Sequence, residues 1–347
     1  MSLKKGLQRA FVVAALGALS ACAPGSSSVY PLKTDLSQVA GRPAVIFLHG
    51  YYGSALKDAR TGARLFIKPW QTLMGKRPIA LHSESLGTRP SPDLEVEGLF
   101  GNVTVLPYLY GLTVYSPLIN SLSLNGANFV VPFAYDWRED LQPTAANLAA
   151  LVESLKKAGA PRVSIVAHSM GGLVAAYYLG YGSQSVEKAR LNWEGAKAVS
   201  RVVFLGTPFR GAISILRNMQ HGTGYPWNAD LLEPETVSSW KASYYLLPYL
   251  DPKLIGGDGR PLPLDLADPT LWADRLLGFY QHPVANPRIM EARAEYTKRQ
   301  VALSRRFQEL AQLKGGSAPP ASLKILNVTG EGKPTLAKGY APEEEKR

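Results

Sequence analysis

Arg162-Val-Ser-Ile-Val-Ala-His-Ser-Met-Gly-Gly172 is the stretch that decides the fold. Val163 to Ala167 is an apolar run of strand length, and Gly172-Leu-Val-Ala-Ala-Tyr-Tyr-Leu179 reads as a packed helix. Between them Ser169 is boxed by two small residues, Ala167 and Gly171. That is the signature of a nucleophile elbow, in which a buried strand turns sharply into a helix and presents a serine in a strained backbone conformation. The pattern is Ala-x-Ser-x-Gly rather than Gly-x-Ser-x-Gly, and a methyl group preserves the steric logic. The bland alternative, a structural serine in a strand-to-helix turn, is countered by the strand and helix that flank it.

Upstream, Pro43-Ala-Val-Ile-Phe-Leu48 has the character of a fully buried strand and runs into His49-Gly50-Tyr51-Tyr52-Gly53-Ser54. Acyl transfer needs backbone N–H groups aimed at an oxygen that becomes negative. In elbow enzymes one donor comes from such a loop and one from the residue after the serine. The candidate donors are therefore Tyr51 and Met170, with the choice among Gly50, Tyr51 and Tyr52 left to geometry. An ordinary strand-ending turn is the competing reading of the loop.

Phe129 to Tyr135 reads as a further strand, which Pro132 consigns to an edge or an end. Ser116 to Leu124 reads as a short helix before it. A longer helix follows, with Pro143 in its first turn, Leu148, Leu151, Val152 and Leu155 on one face and Gly159 as its stop. Ser200 to Gly206 and Leu323 to Thr329 supply later strands. Apolar strands alternating with helices argue for a parallel sheet covered on both faces. Lys57 to Pro107 shows no persistent period and reads mostly as loop with short elements. Tyr135-Asp136-Trp137-Arg138 offers an acid and a base around an indole, and the favoured reading is a partly buried ion pair that pins a loop rather than a substrate contact.

The N-terminus has a different character. Lys4, Lys5 and Arg9 precede an apolar run from Ala10 to Leu19, followed by Leu19-Ser20-Ala21-Cys22. Residues 1–21 read as a secretory signal ending in a lipobox, with Cys22 as the lipidated first residue of the mature chain; an ordinary cleaved signal is the alternative. The run is too short to prefer a membrane span. Cys22 is the only cysteine in 347 residues, so no intramolecular disulfide is possible. Residues 22–40 read as a tether. The formal charge of +11 would favour anionic lipid headgroups or equally mark a solvated face, and Lys and Arg are not clustered with aromatics as in a nucleic-acid groove, so no nucleic-acid partner is expected. Five histidines without ligand spacing imply no metal, and no motif implies a cofactor.

Phe47-Leu48-His49-Gly50, Pro132 to Arg138, Ala167 to Gly172, Phe204-Leu-Gly-Thr-Pro-Phe-Arg-Gly211 and Tyr245-Leu-Leu-Pro248 occur in the order found in the lecithin:cholesterol acyltransferase family, which this chain resembles from about Pro43 to Thr335. The Tyr-Asp-Trp-Arg and Gly-Thr-Pro pieces carry most of the specificity, and 209–320 is only loosely similar. The resemblance implies an α/β-hydrolase fold: a mostly parallel sheet with helices on both faces and an inserted cap. Residues 41–208 would form the core, 209–321 the cap, and 322–347 a late core strand and polar tail.

By the same resemblance, Ser169 would be the nucleophile, Tyr51 and Met170 the oxyanion donors, and His168 an elbow neighbour rather than the base. The implied activity is a lipid O-acyltransferase or (phospho)lipase working through a serine acyl-enzyme on a lipid or acyl-ester substrate. The protein would be held at a membrane of the bacterial envelope by lipidated Cys22. A catalytically inactive lipid-binding lipoprotein, and another serine esterase or deacylase, are the alternatives. His49 stands where many relatives have proline, and the lid disulfide of animal members cannot form.

Cap aromatics Tyr225, Trp227, Trp240, Tyr244 and Tyr245 would either line an acyl groove or form the cap's own core. An elbow hydrolase places its acid and then its histidine after a late strand. No aspartate follows Asp274, no histidine follows His282, and Glu331 is the one acid promptly after the last strand. Truncation of a longer enzyme is the favoured explanation, ahead of a triad completed by His221 or His282 and of an inactive relative.

Overall fold

The structure is a computed structural model that describes residues 28–66, 76, 78–102, 115–225, 228–251, 254–256, 258–262, 264–332, 336 and 338–340. Its strands are β1 (Ser28–Pro31), β2 (Ala44–Leu48), β3 (Ser54–Asp58), β4 (Arg64–Phe66), β5 (Leu94–Asn102), β6 (Phe129–Phe133), β7 (Val163–His168), β8 (Arg201–Leu205), β9 (Thr223–Tyr225), β10 (Asn228–Leu232), β11 (Leu254–Ile255), β12 (Lys324–Val328) and β13 (Gly339–Tyr340). The α-helices are α1 (Ser83–Leu86), α2 (Ser116–Ser123), α3 (Leu141–Lys157), α4 (Met170–Tyr181), α5 (Ile213–His221), α6 (Pro234–Ser239), α7 (Lys241–Tyr245), α8 (Pro269–Asp274) and α9 (Pro287–Ala311).

Five strands form the central sheet in the order β12-β8-β7-β2-β6, every neighbouring pair parallel. β2 is buried along its whole length, which is why Ala44-Val-Ile-Phe-Leu48 lacks a polar face. β6 lies at one edge, where Pro132 removes no ladder bond that a further strand would need. Leu48 pairs with Ala167, His168 with Leu205, and Leu205 with Val328. The C-terminal ends of four strands are thereby brought level.

Helix α3 starts where Asp140 accepts from the Gln142 N–H and stops before Gly159 at φ 91°. It buries Leu141, Ala145, Leu148, Val152 and Leu155. Helix α4 is buried on every side because α3, the sheet and α9 all pack on it. Tyr177 stacks on Phe307 of α9 at 4.5 Å, and Tyr181 Oη donates to the Leu310 carbonyl at 3.1 Å. On the opposite face Phe47, Val45 and Val166 pack with Tyr115 and Ile119 at the start of α2. This is the helix-flanked parallel sheet of an α/β-hydrolase.

Lys57 to Pro107 departs from its reading as loop. Within it β5 runs for nine residues and, with β1, β3 and β4, forms an antiparallel sheet ordered β1-β5-β3-β4. Its partners are contributed from remote parts of the chain, and Gly98 and Gly101 interrupt any alternation. A Cβ on Gly98 would stand 2.0 Å from the Tyr30 carbonyl oxygen, so that glycine is required by strand pairing. The stretch expected to be a tether contributes β1 from Ser28 onward. Residues 1–27, and with them the expected signal and Cys22, lie outside the described residues.

After the Gly206-Thr207-Pro208 turn, the chain runs through α5, the β9–β10 hairpin and the short helices α6, α7 and α8 into the 25-residue α9. Trp240, Tyr244 and Tyr245 are fully buried. They are core rather than the lining of a groove, while the side chains of Tyr225 and Trp227 lie outside the described residues. β12 is different: Ile325, Leu326 and Val328 are 45%, 55% and 44% exposed, although β12 belongs to the parallel sheet. Among the described residues no helix is long and apolar enough to cross a membrane.

Candidate active site

The serine stands where β7 ends and α4 begins, with φ 53° and ψ −123°. A non-glycine residue there is strained by about 1–3 kcal/mol and is held only by its surroundings. Two backbone bonds hold it: the Ser169 N–H donates to the Leu205 carbonyl at 2.8 Å, and its own carbonyl accepts from Gly172 N–H at 2.9 Å. The small residues around it are required by packing. A Cβ on Gly171 would stand 2.5 Å from the His49 carbonyl oxygen, and one on Gly172 would stand 1.9 Å from Thr207 Oγ1.

The loop after β2 lies directly against this elbow. A Cβ on Gly50 would stand 2.8 Å from Ser169 Cβ, 3.2 Å from Ser169 Oγ and 3.0 Å from His168 Nδ1. Met170 is the first residue of α4, so its N–H has no carbonyl partner within the helix. No described backbone carbonyl accepts from the Tyr51 N–H. Among the described residues the two expected oxyanion donors thus have no backbone acceptor for their N–H groups, which lie on the two segments that meet at Ser169, and the helix N-terminus adds partial positive charge.

His49 is fully buried and stacks on Tyr135 with ring centroids 4.0 Å apart. Its Nε2 accepts from the Tyr135 N–H at 3.2 Å, so the ring proton sits on Nδ1 and is donated to the Gly50 carbonyl at 2.7 Å. Burial pushes its pKa down to about 4, with the Gly50 bond opposing and nearby His168 reinforcing the shift. With both nitrogens occupied, His49 clamps the loop. Because the peptide is planar and trans, fixing the Gly50 carbonyl also fixes the direction of the Tyr51 N–H.

Behind the loop Tyr51 and Tyr52 pack edge-on against Trp137 and Trp240 at 4.7–6.0 Å. Tyr51 Oη shares a 2.7 Å hydrogen bond with Ser243 Oγ. Arg138 is 3% exposed; it makes bidentate bonds to Asp136 at 3.0 and 2.6 Å and donates to the Ile79 carbonyl at 3.1 Å. This ion pair holds a loop, as the sequence suggested.

Ser169 is not brought together with an acid or a base among the described residues. Among the described residues no histidine nitrogen or carboxylate oxygen hydrogen-bonds Ser169 Oγ. His49 is engaged as above, and His168 Nδ1 faces Tyr115 Oη at 3.1 Å. His82, His221 and His282 are exposed on other elements, and Glu331 is exposed beyond β12. The described residues contain no group of three or more His, Cys, Asp or Glu that could hold a metal. Sequence reasoning missed Tyr115, whose hydroxyl accepts from the Gly50 N–H at 3.2 Å. Separations of 65 and 53 residues from Gly50 and His168 leave no local signal for it.

A family model described as Lecithin:cholesterol acyltransferase matches residues 82–262. The uncharacterized protein YJR098C of Saccharomyces cerevisiae is 27% identical over 206 residues, 59% of this chain and 29% of the yeast protein. Lecithin-cholesterol acyltransferase-like 4 of Arabidopsis thaliana is 29% identical over 117 residues, 33% of this chain and 18% of the plant protein. The matched part thus covers under a third of either relative. Among solved structures, the Tle4–Tli4 complex is similar with TM-score 0.47 and 15% identity, covering 82% of this chain and 74% of that one. The mature form of Bacillus licheniformis lipase BlEst2 gives TM-score 0.30 and 14% identity, covering 73% and 80%.

Proposed function

The chain belongs to the lecithin:cholesterol acyltransferase family, and from that premise we propose that it is a lipid O-acyltransferase or phospholipase-type hydrolase with Ser169 as its nucleophile. The observation that carries this reading is the strained Ser169 conformation with Gly50 packed against its side chain. Ser169 Oγ would attack an ester carbonyl, and the Tyr51 and Met170 N–H groups would receive the oxygen that becomes negative. The acyl group would then pass to water or to an alcohol. The serine proton needs a base. Among the described residues His49 and His168 are engaged with other partners, and His82, His221 and His282 are exposed on other elements. Export and anchoring through Cys22 form part of the same proposal and rest on the sequence of the first 22 residues.

The deciding experiment is labelling of the natural gene product with a fluorophosphonate probe, with mass mapping of the adduct and acyl release from phospholipid vesicles measured in parallel. An adduct on Ser169 that is lost in Ser169→Ala is expected. No adduct in a folded preparation would sink the catalytic reading. The absence of a described base at Ser169 favours one second reading, a lipid-binding protein without catalysis, which predicts vesicle binding unchanged in Ser169→Ala.

A further inference from the structure

Tyr115 lies outside every motif that marks the site, yet its hydroxyl stands between the two segments that form it. It accepts from the Gly50 N–H at 3.2 Å and lies 3.1 Å from His168 Nδ1. A tyrosine hydroxyl carries one proton. Between the hydroxyl and Nδ1 either atom can be the donor, according to the His168 tautomer. Burial lowers the His168 pKa and so favours the neutral ring.

The strut is rigid. Tyr115 is 2% exposed, its ring packs on Phe47 with centroids 4.8 Å apart, and its backbone is the N-cap of α2. Only glycine at position 50 lets the three groups approach, because a Cβ there would stand 3.0 Å from His168 Nδ1. Gly50 is therefore held at both of its backbone polar groups, the carbonyl by His49 and the N–H by Tyr115. Removing the hydroxyl would leave the buried Gly50 N–H without this acceptor, which is the costly way to break a hydrogen bond.

We propose that Tyr115 is a positioning residue: by bridging Gly50 N–H to His168 Nδ1 it ties the loop to the elbow and holds the Tyr51 N–H in register with Ser169. The bridge itself follows from geometry, while its effect on chemistry rests on the acyl-transfer reading.

The test uses the full chain with selectively 15N-labelled glycine and histidine, and compares wild type with Tyr115→Phe, His168→Asn and His168→Leu. Asparagine offers a carbonyl oxygen near the place of Nδ1, and leucine offers only bulk. In Tyr115→Phe the Gly50 amide should lose about tenfold in hydrogen-exchange protection, the His168 Nδ1 resonance should move, and Ser169 phosphonylation should slow about tenfold. His168→Asn should retain most of the labelling rate and His168→Leu should match Tyr115→Phe.

Wild-type values for Gly50 protection and labelling in Tyr115→Phe would overturn the proposal. So would equal labelling by the Asn and Leu variants, which also serve as the test if Tyr115→Phe does not fold. If wild-type Ser169 is never phosphonylated, the acyl-transfer reading fails by itself, and the bridge stands or falls on Gly50 protection and the His168 resonance.

Discussion

Gly50 and Ser169 are in contact: a β-carbon placed on Gly50 would lie 2.8 Å from Ser169 Cβ, closer than any real Cβ contact. Gly50 is buried in the loop after β2 and Ser169 is held in the tight turn between β7 and α4, so neither can move aside cheaply. Gly50→Ala should destabilise the fold by about 1–3 kcal/mol and reduce phosphonylation of Ser169 by at least about tenfold, measured by urea denaturation and by labelling kinetics. A variant that labels at the wild-type rate would show that the loop is not held against the elbow.

Strain at the elbow makes an opposite prediction. Ser169 occupies φ 53° and ψ −123°, a region that glycine adopts freely. Ser169→Gly should therefore raise stability by about 1 kcal/mol while Ser169→Ala does not, because alanine retains the Cβ. Both should lose labelling. Thermal melts of the two variants side by side provide the measurement, and equal melting temperatures would argue against strain.

His49 makes stability depend on pH. Its folded pKa is about 4 against an ordinary 6.5. Between those values the unfolded chain binds a proton that the folded chain refuses, so stability falls as pH drops from about 6.5 toward 4 and is fully present above that window. The loss is on the order of 3 kcal/mol from this group, and His168 adds in the same direction. Urea midpoints at pH 7.5 and pH 4.5 test this, and His49→Gln should flatten the slope between them.

The exposed strand β12 should drive self-association. Leu326 and Val328 are 55% and 44% exposed on a strand that, among the described residues, lies at the edge of the sheet. Leu326→Lys should lower light scattering at a given concentration without changing the midpoint of unfolding by more than about 0.5 kcal/mol. Unchanged scattering would mean that another surface is responsible.

The local devices were legible in sequence because each is written in adjacent residues. Val163 to Leu179 declares a buried strand, a boxed serine and a packed helix. Pro132 marks an edge strand, and Asp136 with Arg138 forms its pair across one intervening residue. Strand β5 was not legible, since its pairing with β1 and β3 joins segments remote in the chain and two glycines break its alternation. Nor was the state of the cap aromatics, because a tryptophan in a groove and one in a core have the same sequence.

The sequence by itself determined the elbow, the alternation of strands and helices that argues for a parallel sheet, and the family, through short runs whose period and small residues permit few conformations. Tertiary structure alone decided what surrounds Ser169. His49 is a buried clamp with both nitrogens occupied, and Tyr115 reaches Gly50 and His168 from another part of the chain. The physical reason is that hydrogen-bond partnership and burial depend on distances in space. Those are set only when β2, β7 and α2 pack together, so histidines equivalent on paper acquire different protonation, partners and roles.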